Sequence, residues 1–150
     1  MMSLLERIEW DEWRGQENAP TMLIKRLLRI PLWRSNGKWN SIRIDLHMMI
    51  RPDRLDCHHT HPAYAFRFIL ANGYLEEIIG ATGAVKAVRL WEPGQFGLVR
   101  PGLCHRIADL ATTDKSGEPR PSLSLWIRGP ICAESRLVGD GWENEKGLQA

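Results

Sequence analysis

Apolar and polar residues alternate in short stretches along most of the chain, and turn-forming residues separate these stretches. Alternation with a period of two is typical of strands that bury one face, and Gly, Pro and Asn residues punctuate such strands. We predict strands at residues 45–50, 58–61, 66–70, 74–79, 85–91, 95–99, 105–110 and 122–127. Many short strands with regular turns favour an all-β sandwich or closed barrel over alternating strands and helices.

The first forty residues carry weaker signals. Ser3 can cap a short helix, so the sequence predicts a short N-terminal helix. Residues 22–30 fit either a helical turn or a strand that continues into Pro31. Asn36 and Gly37 follow, and this pair accepts the positive φ angles of a tight turn, which predicts a hairpin.

Length and composition indicate one globular domain that spans residues 1–150. Apolar residues make up 43% and charged residues 25% of the chain, which excludes a disordered protein. The formal net charge of +2 argues against a dedicated nucleic-acid binder. No apolar run approaches the ~20 residues of a membrane span, and the first residues lack a signal-peptide pattern. We therefore expect a cytoplasmic protein that binds neither nucleic acids nor membranes.

The histidines are the strongest chemical signal. The chain has five of them, at His47, His58, His59, His61 and His105. In a strand, residues two apart share a face, so His59 and His61 point the same way and His58 points opposite. Two imidazoles on one face form half of a transition-metal site, although an isolated His-x-His is also common as plain surface polarity.

The pattern around these histidines resembles the two motifs of the cupin superfamily. The first motif is a Gly, five residues, His-x-His, three or four residues, Glu, six residues and Gly. The second is a Gly, five residues, Pro, one residue, Gly, two residues, His, three residues and Asn. The matching positions are His59, His61, Gly73, Gly94, Gly102 and His105. The departures are Asp53, Phe66, Arg100 and Asp109, at the leading Gly, the Glu, the Pro and the Asn positions.

A narrower resemblance covers residues 40–142. The chain is similar to a bacterial and phage group of small single-domain cupins of uncharacterised function, which look like cysteine dioxygenase in their all-histidine arrangement. The segments that carry this likeness are Leu46-His47, Arg51-Pro52-Asp53, His59-Thr60-His61-Pro62, Gly73-Tyr74-Leu75-Glu76, Arg100-Pro101-Gly102, His105-Arg106, Gly129-Pro130 and Gly141-Trp142. The aromatic tail that follows the last segment in that group is missing here.

The resemblance implies a fold and a metal. The fold is a cupin-type β jelly roll, a double-stranded β-helix barrel with its core at about residues 40–130. By position, His59, His61 and His105 are the metal ligands, and Phe66 replaces the Glu ligand. The implied cofactor is one divalent transition metal, with Fe(II) favoured by family habit and Zn, Ni or Mn as alternatives.

Glu76 is a candidate catalytic residue. Strand parity carried from Phe66, Phe68 and Leu70 places it at the rim of the barrel cavity. A carboxylate in apolar surroundings near a cation is a plausible general base. The alternative is that Glu76 and Glu77 form an ordinary solvated edge pair.

Other polar residues are weaker candidates for a functional role. His47 ends an alternating strand and is a candidate for substrate contact or for support of a metal ligand. Arg128 is a candidate carboxylate binder, whereas parity turns Arg106 to the outside. Cys57 shares the parity of His59, and the odd number of cysteines predicts reduced thiols.

Two functional hypotheses follow. The first is a mononuclear metal enzyme, an oxidoreductase of the dioxygenase type that acts on a small polar molecule in the barrel. The alternative is a non-catalytic metal- or ligand-binding cupin that serves as a sensor or structural module. Exposed sheet edges also predict a homodimer, with residues 22–30, Trp33 and Trp39 as its face.

Overall fold

The computed structural model describes residues 9–13, 20–35, 38–53, 58–80 and 83–138. These residues form strands, turns and irregular segments without any helix, so the all-β prediction is confirmed. The predicted N-terminal helix, the Asn36-Gly37 turn, Cys57 and Gly141-Trp142 lie outside the described residues. Within the described part of the chain, no helix is long and apolar enough to cross a membrane.

Eleven strands are described, in two antiparallel sheets. In chain order they are β1 (Asp11–Trp13), β2 (Met22–Ser35), β3 (Lys38–Met49), β4 (His58–His59), β5 (Ala65–Ala71), β6 (Tyr74–Ile79), β7 (Val85–Trp91), β8 (Phe96–Val99), β9 (His105–Leu110), β10 (Ser122–Arg128) and β11 (Leu137–Val138). One sheet has six strands in the order β1-β2-β3-β10-β5-β8, and the other has five in the order β11-β4-β9-β6-β7. This arrangement is compatible with the predicted jelly roll.

Residues 22–30 belong to a strand, which decides the ambiguity of that segment. They open β2, a strand of 14 residues that continues through Pro31 to Ser35. β2 pairs with β3 along nearly its whole length, and the register ends with Ser35 opposite Lys38, as a hairpin requires. Only the first residues of β2 also pair with β1, so Pro31 interrupts no described ladder on that side.

The inward-facing positions of β5 differ from the sequence prediction. Ala65, Arg67 and Ile69 are buried, whereas Phe66 and Leu70 are exposed. The expectation that Phe66, Phe68 and Leu70 face the cavity is therefore wrong by one residue. The hydrophobic pattern gave the wrong face because the inward side of this sheet holds buried polar residues such as Arg67 and Asp45 beside its apolar ones, while Phe66 and Leu70 lie on the exposed side.

The core between the sheets forms two apolar clusters. The larger consists of Ile69, Tyr74, Trp91, Ile107 and Leu110, and the smaller consists of Ala65, Val99 and Trp126.

Two glycines make room for the indole and backbone of Trp91. A Cβ atom on Gly97 would lie 2.4 Å from the Trp91 ring, and one on Gly73 would lie 2.1 Å from its carbonyl oxygen. Gly73 also has a φ of 71°, and it follows Asn72 in the tight turn that joins β5 to β6. This turn lets β6 run back beside the core with Tyr74 and Glu76 pointing inward.

The outer face of the six-stranded sheet carries an apolar row. Leu28, Ile44, Ile127, Phe66 and Leu98 lie directly opposite one another across five strands. All but Ile44 are among the exposed large hydrophobic residues. Contiguous apolar surface of this kind marks an interaction face more often than a scattered exposed leucine does.

Candidate metal centre

The short strand β4 and the residues directly after it bring His59 and His61 to the interior. His59 lies directly opposite His105 of β9, so the two side chains share one face of the five-stranded sheet. Thr60 fixes the segment from behind, because its N–H donates to the Arg136 carbonyl and its hydroxyl accepts from the Arg136 N–H. His61 follows two residues after His59 and points the same way.

The structure brings His59, His61 and His105 together, as the motif spacing predicts. One ring nitrogen from each lies within 4.8 Å of the others. The ring centroids are 4.9–5.2 Å apart. Nε2 of His61 lies 2.8 Å from Nε2 of His105. Nitrogens bound at about 2.1 Å and at right angles to one ion would lie about 3 Å apart, so this donor set fits a transition metal.

The protonation state of His61 also suits a metal. Burial lowers the pKa of His61 well below its ordinary value, and the neighbouring His105 and His59 lower it further. A neutral imidazole is the form that binds a metal. His61 is therefore held in its ligating form at neutral pH.

Glu76 is fully buried and contacts His105 instead of solvent. Its Oε1 lies 2.5 Å from Nδ1 of His105, and both of its oxygens accept hydrogen bonds from Arg67. The Trp91 indole N–H also donates to Oε2, at 2.8 Å. Burial alone would raise the pKa of Glu76, but the hydrogen bonds from His105 and Arg67 lower it below the ordinary value.

The carboxylate of Glu76 fixes the tautomer of His105. An ionised carboxylate only accepts hydrogen bonds, so Nδ1 of His105 must carry the proton. Nε2 then presents its lone pair toward the other two histidines. A carboxylate behind a ligating histidine is the usual way in which proteins orient such a ligand.

Arg67 supplies the counter-charge of this network. It is 2% exposed, and its guanidinium carbon lies 3.9 Å from the centre of the Trp91 ring. It also donates to the Tyr74 hydroxyl at 3.2 Å. Burial raises the pKa of Tyr74 to about 12, so this hydroxyl stays protonated. Sequence reasoning missed Arg67, although an arginine in the middle of an apolar strand is itself a signal of an interior charge.

His47 lies beside the cluster on the six-stranded sheet. Its ring stacks on Trp126 at 4.9 Å and 15°, and Trp126 in turn lies 5.6 Å from the His61 ring. Burial lowers the pKa of His47 to about 3, with Arg43 and Arg128 contributing. The ring is therefore neutral at physiological pH.

The other two motif-region residues face away from the cluster. His58 lies 3.6 Å from Glu77, which also binds Arg106 at 2.7 Å, on the opposite face of the five-stranded sheet. Phe66, at the Glu position of the first motif, points outward, and its inward neighbour is Ala65. Among the side chains that the structure describes, the cluster contains three histidines and neither a carboxylate nor a thiol.

Comparison with known proteins gives structural matches only. No protein-family model matches the chain, and no curated protein shows a significant sequence match. The fold is similar to Fe(II) HppE in complex with substrate, with a TM-score of 0.55 and 11% identity over 85% of this chain and 59% of that one. It is similar to DMSP lyase DddQ from Ruegeria pomeroyi, with a TM-score of 0.54 and 20% identity over 91% and 63% of the two chains. It is also similar to KdgF from Halomonas sp., with a TM-score of 0.51 and 14% identity over 83% and 90%.

These neighbours are cupin-fold proteins, so the likeness shows that the chain has the cupin fold. The chain spans only about three-fifths of HppE and of the lyase. At these identities the comparison supports the fold and leaves the all-histidine subgroup as a proposal.

Proposed function

We propose that this chain is a mononuclear metal-dependent oxidoreductase of the dioxygenase type, which acts on a small polar molecule inside the barrel. The observation that carries the proposal is the cluster of His59, His61 and His105, which offers three ring nitrogens to one point. Three imidazoles bind a divalent transition metal and leave its remaining positions open, as an ion that must accept both substrate and O₂ requires.

Fe(II) is the metal we propose, with Zn, Ni or Mn as alternatives. Imidazole ligands suit Fe, Zn and Ni, whereas Mn more often takes oxygen ligands. HppE, a neighbour by fold, holds Fe(II) according to its structure. When bound here, iron would supply Lewis acidity and one-electron chemistry to the substrate.

Glu76 acts through His105 in this proposal. Both of its oxygens are occupied by Arg67, Trp91 and His105, and its pKa is lowered, so it is a poor proton acceptor for a substrate. The geometry thus favours a positioning role over the general-base role expected from the sequence. His47, neutral and stacked on Trp126, is placed to hydrogen-bond a substrate that reaches the metal.

Oxygen consumption tests the catalytic proposal. We expect iron-loaded protein to consume O₂ and release an oxidised product with at least one member of a panel of thiols and small organic acids. The matched control is iron-treated His105→Ala protein, which should show only the background rate. Compounds that bind the iron-loaded protein without any turnover would instead support the alternative, a non-catalytic sensor or structural module.

We also propose a homodimer, formed through the predicted face of residues 22–30, Trp33 and Trp39 together with the apolar row on the outer face of the six-stranded sheet. The row carries no charged side chain, so two copies can pack against each other without repulsion. The exposed residues Leu27, Ile30 and Trp33 of β2 extend the apolar surface at one end. A symmetric dimer needs a self-complementary patch, and an apolar sheet face without charged side chains meets that need.

Light scattering at micromolar concentration checks the assembly. We expect about twice the chain mass of 17.2 kDa for the wild type and about that single mass for Ile127→Glu. The control is Val88→Glu, at an exposed position on β7 of the other sheet, which should leave the dimer intact. A strictly monomeric wild type would contradict the proposal.

The cytoplasmic location and the absence of a nucleic-acid partner stay predictions.

A further inference from the structure

Arg67 is a buried cation that reaches from one sheet to the other. It belongs to β5 of the six-stranded sheet, whereas its partner Glu76 belongs to β6 of the five-stranded sheet. Both side chains are buried, so water does not screen the ion pair between them. The position of Glu76 therefore depends on a residue from the opposite sheet.

The guanidinium group of Arg67 holds both oxygens of the Glu76 carboxylate. Nη1 donates to Oε1 at 2.7 Å, and Nη2 donates to Oε2 at 2.5 Å. Two parallel hydrogen bonds of this kind fix the plane of a carboxylate, which a single donor does not do. Oε1 is also the oxygen that lies 2.5 Å from Nδ1 of His105. The plane that Arg67 gives to the carboxylate is thus the one in which Glu76 holds the His105 ring.

Trp91 and Gly97 hold the guanidinium group in this position. The group stacks on the Trp91 ring, and the indole N–H of Trp91 donates to the same carboxylate of Glu76. Gly97 lies directly opposite Arg67 in the pairing of β5 with β8, and its missing Cβ leaves the space that the Trp91 ring fills. Arg67 is therefore a fixed support for Glu76 as well as its counter-charge.

A second arginine–glutamate pair lies on the opposite face of the five-stranded sheet. Glu77 follows Glu76 along the chain, and Arg106 follows His105. Arg106 is buried and donates to Glu77 at 2.7 Å, while the Glu77 carboxylate lies 3.6 Å from His58. This pair matches the first in burial and charge but faces away from the three histidines. It can separate the loss of a buried ion pair from an effect on the metal centre.

We propose that Arg67 is a positioning residue for the metal ligand His105 and acts on it through Glu76. The inference rests on the proposed function, because it concerns the support of the same three-histidine centre. A carboxylate behind a ligating histidine sets the orientation of its ring. Arg67 sets the plane of that carboxylate and hence the direction in which Nε2 of His105 points. This role needs the planar fork of arginine, which the ammonium group of lysine lacks.

Metal affinity of Arg67→Lys tests the role, with Zn(II) as the probe in competition with a chelator. The substitution keeps the positive charge and removes the fork. We expect the affinity to fall by about tenfold, the lower end of what loss of a supporting group costs. The matched control is Arg106→Lys, which makes the same change in the other pair and should bind Zn(II) as the wild type does.

The Nδ1 proton of His105 gives a second measurement, by nuclear magnetic resonance on metal-free protein. In the wild type we expect a downfield resonance that exchanges slowly with water, because the proton lies in a short, buried hydrogen bond. Arg67→Lys should move it upfield and speed its exchange, and Arg106→Lys should leave it unchanged. If Arg67→Lys does not fold, Gly97→Ala replaces it, since the added Cβ displaces the Trp91 ring without changing a charge or a donor.

The two measurements separate this inference from the proposed function. If Arg67→Lys and Arg106→Lys behave alike in both, Arg67 has no positioning role. A fall in Zn(II) affinity with an unchanged Nδ1 proton also overturns the inference, because Arg67 would then not act through Glu76. If the wild type takes up no metal while the Nδ1 proton still depends on Arg67, the support of His105 stands and the proposed function fails.

Discussion

Replacement of His105 by alanine is expected to remove the metal and leave the fold in place. His105 supplies one of three ring nitrogens, so its loss leaves two histidine ligands. Weakening of a histidine's supporting carboxylate alone typically costs 10–100-fold in metal affinity, so loss of the ligand should cost at least about 100-fold. Elemental analysis should therefore fall from about one ion per chain to nearly none.

The fold of His105→Ala should persist because the core does not depend on an ion. Two apolar clusters fill the space between the sheets, and Glu76 keeps its ion pair with Arg67 after the substitution. We expect a loss of about 1–3 kcal/mol from the hydrogen bond that Glu76 no longer receives. Circular dichroism and a denaturation curve measure this.

The control for this experiment is His58→Ala. His58 faces Glu77 on the opposite side of its strand, so its removal should leave metal content unchanged. If His58→Ala abolished metal binding while His59→Ala did not, the assigned ligands would be off by one position and the metal proposal would fall.

Replacement of Glu76 by glutamine is expected to damage both stability and metal binding. Arg67 is 2% exposed, and Glu76 is the carboxylate that neutralises it. Removal of one partner of a buried ion pair typically costs about 3–5 kcal/mol. A glutamine also offers an N–H₂ group where His105 Nδ1 now donates. His105 would then favour the tautomer with its proton on Nε2, the nitrogen that faces the metal site. We expect metal affinity to fall by about 10–100-fold.

Chemical denaturation and metal competition measure the two effects of Glu76→Gln separately. Glu77→Gln is the matched control, because Glu77 is a neighbouring carboxylate that binds Arg106 on the other face. A second variant, Glu76→Gln with Arg67→Met, removes the unpaired charge and should recover stability while metal affinity stays low. Equal stability of Glu76→Gln and wild type would contradict the ion-pair argument.

The pH dependence of stability gives an independent check on Glu76. Its pKa is lowered in the folded protein, so the unfolded chain binds its proton more readily. The stabilisation is therefore fully present above the unfolded pKa of about 4.3 and is lost as pH falls through the lower folded pKa. The wild type should lose more stability on acidification than Glu76→Gln does.

Local pattern was enough to predict much of the fold. The alternation of apolar and polar residues predicted β6, β7 and β9 with the bounds that the structure has. The spacing of His59 and His61 placed them on one face, since the pleat of a strand alternates side chains regardless of context. The second motif placed His105 with them, and the resemblance to cupins supplied the fold in which the three meet.

The tertiary structure alone decided which face of β5 is inside. Phe66, Phe68 and Leu70 alternate with Ala65, Arg67 and Ile69 along β5. The first set has the larger apolar side chains and no charge, so the hydrophobic pattern favours its burial. The structure instead buries Ala65, Arg67 and Ile69, because the interior holds a polar site and the outer face carries the apolar row. Alternation shows that every second residue of a strand lies on the same face. Only packing against the other sheet determines which of the two faces is buried.

The charged networks were equally invisible in the sequence. Arg67 and Glu76 are separated by nine positions and joined by the Asn72-Gly73 turn, and Trp91 and His105 come from two further strands. Arg29, Arg43 and Arg128 meet through register across β2, β3 and β10. The sequence by itself determined the bounds of β6, β7 and β9 and the common facing of His59 and His61, because both depend on neighbours along the chain. The partner of each buried charge depends on strands that are distant in sequence, and only their pairing in three dimensions decided it.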